Sequence, residues 1–215
     1  MKSGLNKLVL YVGSMLCLSA CSTLASVTPT PMPIEQLIAI VKASNPDAPS
    51  NTSESADFGF ATSELARWGP AAAPAAPVLA QALQYRRRDS YMAAYALVEI
   101  GSAASPAVPE LIIALGNDSP SVRECSAFVL GIIGKPSTRA VPALARLLWD
   151  PDKFARTAAA AAIDSITGIS LLSSERQELD PANPCSVMAD EPEGSIVGKA
   201  RAWWLEEGQY SNWGE

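Results

Sequence analysis

The 215 residues include no histidine. This removes the side chain whose ordinary pKa lies nearest neutrality, the commonest metal ligand, and every Ser-His or Cys-His nucleophilic pair. Charge is sparse at 18%, and acids outnumber bases 22 to 16 for a net charge of −6, so the chain as a whole repels nucleic acid and anionic headgroups. Carboxylates are also badly placed for chemistry. Glu99 and Asp164 have no opposed partner at a definable distance, and Asp190, Glu191 and Glu193 lack the ordered spacing that a calcium ion's six to eight oxygens require. The expectation is a protein with no catalytic residues, no metal and no cofactor. The 48% hydrophobic content is that of a globular or repeat protein rather than a disordered one.

Long hydrophobic runs are missing too, apart from a short one at the start. Residues 1–20 place Lys2 and Lys7 ahead of an apolar run, Leu8 to Leu18, and end in small residues, the plan of a secretory signal peptide. Broken by Gly13 and Ser14, the run is about half the ~20 residues needed to span a bilayer, which disfavours a permanent transmembrane helix. Leu18-Ser19-Ala20-Cys21 resembles the lipobox of bacterial lipoproteins. The resemblance implies acylation, palmitate among the chains, at Cys21 as the first mature residue, and extracytoplasmic attachment to a bacterial membrane. Ser22 after it implies the outer membrane where the cell has two. Each buried methylene contributes ~0.8 kcal/mol, so more than one acyl chain gives a stable anchor without a spanning segment. Cleavage would also remove Cys17, leaving Cys125 in a core-like helix register and Cys185 in a loop; a disulfide between them stays open.

Residues 21–33 are rich in Ser, Thr and Pro with no apolar period, which predicts an extended lipidated tether. An N-terminal helix and polar loop occupy 34–56, with Ile34, Leu37, Ile38 and Val41 on one helix face. From 57 to 168 the sequence repeats. Leu65 to Gly69, Leu97 to Gly101, Leu130 to Gly134 and Ile163 to Gly168 end in glycines 32, 33 and 34 residues apart. Pro77, Pro109 and Pro142, each two residues before a leucine, keep the same step of 32 and 33. Two markers sharing one period specify a repeat of two helices, with the glycine at the first helix's C-cap and the proline in the next helix's first turn, where its missing N–H has no helical partner. Ser119 and Asp150 are placed to cap the following helices ahead of Pro120 and Pro151. The fold class expected is all-α: a short right-handed α-solenoid of helix pairs, followed over 169–215 by an acidic loop and a Trp-rich C-terminal cap carried by Trp203 and Trp204.

Val122-Arg123 ahead of a small-residue helix ending at Gly134, then Ala140-Val141-Pro142-Ala143-Leu144, resembles the short HEAT-like repeats first associated with phycobilin lyases. The resemblance implies an inter-repeat ladder of Asp118 and Asp150 with Arg123 and Arg156, interrupted where Ser90 stands in the arginine's place. In such stacks the second helices line a concave face. With Leu79, Leu83, Leu111, Leu115, Leu144 and Leu148 assigned to the core, the rows Val78, Glu110, Ala143 and Gln81, Ile113, Arg146 point into the groove of that concave face, with Trp149 one position further along. Glu110, Ile113, Arg146 and Trp149 are therefore the partner-binding candidates, while Arg86, Arg87 and Arg88 read as a solvated turn.

Three functions fit. The leading one is a membrane-anchored envelope scaffold that binds a protein or peptide partner, with no nucleic acid. A phycobilin-lyase-like enzyme is the alternative implied by the resemblance, though export places it away from cytoplasmic pigment assembly; a purely structural spacer is the third.

Overall fold

The computed structural model describes residues 32–44, 53–85, 90–170 and 195–213. The signal peptide, Cys21, most of the tether, the three arginines, Cys185 and the acidic loop lie outside these residues.

Helix α1 (Ile34–Ala43) begins after Pro33, whose extended ψ of 144° suits the residue outside a helix start. Leu37 and Val41, one turn apart, are buried, while Glu35, Gln36, Ala39 and Lys42 face solvent. The helix packs on α2 (Ser53–Trp68) and α3 (Ala76–Tyr85), so its one-sided apolarity closes the N-terminal end of the stack. Two further pairs follow, α4 (Ser90–Ile100) with α5 (Val108–Ala114) and α6 (Pro120–Ile133) with α7 (Val141–Leu147). Next comes α8 (Lys153–Thr167), and α9 (Ile196–Glu206) ends the array. No strand occurs among the described residues, and the architecture is the expected all-α solenoid.

All four marker glycines hold positive φ: 54° at Gly69, 65° at Gly101, and 72° at Gly134 and Gly168. A residue with a Cβ pays roughly 1–2 kcal/mol there, which explains why the period is carried by glycine. The glycine does not lead straight into the second helix, as the sequence suggests. Between them runs a 3₁₀ segment: Gly69–Ala75, Gly101–Ala107 and Lys135–Ala140. The buried side chains of these segments, Ala72 and Ala75, Ala104 and Ala107, Ser137 and Ala140, are spaced by three, the residue count of one 3₁₀ turn. Successive segments stack on one another through these small residues. The marker prolines then take the second position of α3, α5 and α7.

Ser90–Ala114 is long and apolar enough, by length and composition, to cross a membrane. It is instead a helix pair reversed at Gly101 and packed against α2, α3 and α6. Each second helix buries two leucines one turn apart, Leu79 with Leu83, Leu111 with Leu115 and Leu144 with Leu148, and each is worth roughly 1.5–3 kcal/mol of burial.

The tightest join lies between α6 and α8. A Cβ built on Gly131 would stand 3.0 Å from the Ala162 Cα and 3.3 Å from its Cβ, and Ser165 Oγ donates to the Gly131 carbonyl at 2.8 Å. Backbones this close leave no room for a branched side chain. Gly131→Val should lower stability by about 1–3 kcal/mol in a circular dichroism melt. Gly198→Ala is the control: its added Cβ meets only Ser195 Oγ, at 3.7 Å, and should leave the melt unchanged or slightly raised. Equal melting of the two variants would show that the α6–α8 join tolerates separation.

A candidate partner-binding face

The site begins with what holds neighbouring repeats in register. Arg123 donates from Nε to Asp150 Oδ2 at 2.7 Å and from Nη2 to Oδ1 at 2.8 Å, a two-pronged pair with both side chains largely buried. Its Nη1 donates to the carbonyls of Asn117 and Asp118, at 2.8 and 3.0 Å, so one guanidinium ties the turn before its own helix to the turn of the next repeat. Arg156 repeats the local half, donating from Nη1 to the carbonyls of Asp150 and Pro151. Asp118 enters through its backbone carbonyl, and the rung above Arg123 carries Ser90 in place of arginine. One complete rung is therefore present among the described residues.

That rung corrects the expected caps. Asp150 is committed to Arg123 and to the Asp152 N–H at 2.8 Å, and the N-cap of α8 is Asp152, whose Oδ1 accepts from the N–H groups of Phe154 and Ala155. Ser119 occupies the N-cap of α6, but its side chain makes no cap bond; Asn117 Oδ1 accepts the Ser119 N–H instead.

The second helices present the expected rows. Gln81, Ile113 and Arg146 are exposed, while Val78, Glu110 and Ala143 are half-buried. Ile113 is 67% exposed, a large apolar side chain left in water. Gln84 braces this face, donating from Nε2 to the Glu110 carbonyl and accepting at its own carbonyl from Asn117 Nδ2. Glu110 Oε2 is buried with no donor among the described residues.

Trp149 lies at the end of α7 and is 50% exposed, which makes it a surface residue with one packed side. That side meets Arg201 from α9, whose guanidinium carbon is 5.6 Å from the ring centre. Both Nε and Nη2 of Arg201 donate to the Leu148 carbonyl, an orphan acceptor at the helix end. Sequence periodicity missed Arg201 because its contact lies 53 residues away in the chain.

The residues that seat α9 on the last repeat are Val197 and Ala200, both buried, with the helix packing on α8 and α7. Trp203 and Trp204, expected to do this, are half-buried and close on Trp213, with ring centres 5.8 and 6.4 Å from it. Trp213 Nε1 donates to the Gly208 carbonyl at 2.8 Å. A Cβ on Gly208 would stand 2.7 Å from Trp204 and 2.9 Å from Trp203 ring atoms, so any larger residue there would push the two rings apart.

One titrating group sits beside the rung. Glu124, 7% exposed in α6, has its carboxyl raised from 4.5 to about 7, first by burial and then by the negative charge of Asp152. Between pH 4.5 and 7 the unfolded chain gives up this proton while the folded one keeps it, so stability is greatest below about 4.5 and falls as pH rises toward 7. Urea titrations from pH 4.5 to 8 should show this loss, about 3 kcal/mol, and Glu124→Gln should remove most of it. A slope unchanged in Glu124→Gln would place the titrating group elsewhere. Separately, Arg123→Ala strands the Asp150 carboxylate in a buried site and should cost roughly 3 kcal/mol or more. A double change that also makes Asp150→Leu should recover part of that loss in the same unfolding measurement.

Among the described residues, no three His, Cys, Asp or Glu side chains are placed to hold a metal ion. Comparison with curated proteins and with solved structures gives no match. Comparison with protein families matches residues 61–164 to HEAT repeats, just under half of the chain. The matched stretch runs from within α2 to within α8, and the body of the protein is thus an α-solenoid of HEAT-like repeats.

Proposed function

We propose that this protein is an exported, lipid-anchored scaffold, without catalytic activity, that holds a protein or peptide partner on the face formed by its second helices. HEAT repeats commonly serve as protein-interaction scaffolds, which supports the general role. The observation that carries the site is the pair Ile113 and Trp149, two large apolar side chains at least half exposed at second helices whose repeated leucines, from Leu79 to Leu148, are buried. Ile113 stands on a helix held by the buried Leu111 and braced by Gln84, and Trp149 in the turn after α7 is held by Arg201, so little ordering cost opposes binding. Glu110 and Arg146 add charges of both signs beside them, the mixture that orients a protein partner. Anchoring rests on the leader and on Leu18-Ser19-Ala20-Cys21, and the absence of histidine supports a role outside catalysis.

Two substitutions in the full-length chain test the reading. Cys21→Ser should move the protein from the membrane to the soluble fraction. A Cys21→Ser chain that still sediments with membranes, leader attached, would rule out acylation as the anchor. Ile113→Asp should weaken stoichiometric crosslinking to the partner by tenfold or more, over ~1.4 kcal/mol, at unchanged melting temperature. Undiminished crosslinking in Ile113→Asp would remove this face from the interaction.

A further inference from the structure

We infer that the C-terminal end of this face is built for an extended peptide segment that carries a carboxylate and, about three residues away, a bulky apolar side chain. The inference rests on the scaffold reading and deepens it. Its centre is the group Arg146, Trp149 and Arg201. Arg146 lies in the last turn of α7 and Trp149 in the turn directly after it, joined by the Trp149 N–H to Arg146 carbonyl bond at 3.2 Å, a three-residue spacing that brings side chains to the same side. Arg201 lies over the same indole from α9. A half-exposed aromatic surface thus has one guanidinium over its ring and a second arginine, exposed, three residues before it.

Neither arginine meets a carboxylate among the described residues, unlike Arg67, which pairs with Glu64, and Arg123, which pairs with Asp150. Arg201 spends Nε and Nη2 on a single carbonyl, and Arg146 is exposed. In a chain of net charge −6, a locally cationic spot on the aromatic face selects an acidic occupant by charge complementarity. Two guanidinium forks match one or two carboxylates, whereas a polyphosphate strand or an anionic bilayer would be repelled by the rest of the molecule. The second anchor is Ile113, which occupies the place of Arg146 one repeat earlier, 33 residues back. Successive helical repeats in a stack are spaced on the order of 10 Å, and an extended peptide advances ~3.3 Å per residue, which sets the spacing of about three residues between the two anchors.

The test uses the full-length chain in detergent and fluorescein-labelled twelve-residue peptides read by anisotropy. One peptide alternates Glu and Ser around a central Phe placed three residues from a Glu pair; a second replaces each Glu with Lys; a third keeps the composition but moves Phe next to the Glu pair. The first should bind at least tenfold more tightly than the second and several-fold more tightly than the third. Arg146→Glu, which removes no hydrogen bond among the described residues, should melt like the parent and reverse the preference between acidic and basic peptides. Trp149→Ala should weaken the first peptide fivefold or more, and Arg67→Ala, distant on α2, should not change it. An acidic peptide bound no better than the basic one, or bound equally by Arg146→Glu, would overturn the inference. So would binding only to a single-stranded oligonucleotide or to phosphatidylglycerol vesicles. If the peptides fail but Ile113→Asp still abolishes partner crosslinking, the scaffold reading stands and the acidic specificity falls; if both fail, both readings fall.

Discussion

Four first helices end on a glycine with φ between 54° and 72°, and the rest of the structure depends on this reversal. A left-handed residue at that point turns the chain back over the helix it has just left, which an α-helix cannot do by bending. At Gly69, Gly101 and Gly134 the turn delivers a 3₁₀ segment, and successive segments pack through small residues that set the distance at which the next pair docks. At that distance the second-helix leucines are buried. The exposed row is what the leucines leave over: once Leu111 and Leu115 are turned inward, Ile113 has nowhere to go but outward.

Much of this is legible in the chain because it is local and periodic. Glycine and proline each announce a backbone geometry, and their shared step places every helix pair and the six core leucines. The 3₁₀ segments were visible in principle, in alanine or serine at positions such as 72, 75, 104 and 107, but a period of three in six or seven residues is easily absorbed into a helical reading. The cap of α8 could not be read locally at all. Asp150 and Asp152 are two residues apart and chemically identical, and the choice between them is made by Arg123, which claims Asp150 from 27 residues away. The same holds for Arg201 on Trp149 and for Trp213 on Gly208, where tertiary contacts and a turn replace periodicity.

The grip between repeats changes along the stack. At the α6–α8 join, glycine and alanine bring backbones together and the buried Arg123–Asp150 pair fixes the turns, with Glu124 set where burial, and then the charge of Asp152, make its ionisation costly. One repeat earlier, Ser90 stands where the arginine would be, and α4 carries Tyr91, Met92 and Tyr95 partly exposed. The candidate face spans both regimes. Ile113 sits on the pair without the arginine, Arg146 and Trp149 on the pair that has it.

Arg201 gives the terminal helix a second consequence. By reaching the Leu148 carbonyl and the Trp149 ring together, α9 is both the lid of the array and one wall of its exposed face. Growth of the protein by repeat duplication is therefore unequal at its two positions. A unit copied into the middle keeps this wall, because the last second helix still ends in Leu-Trp. A unit appended after α8 buries the docking surface and strands the arginine, so it must bring its own tryptophan and its own free carbonyl. The length of the array can drift, but its C-terminal edge is inherited as one piece.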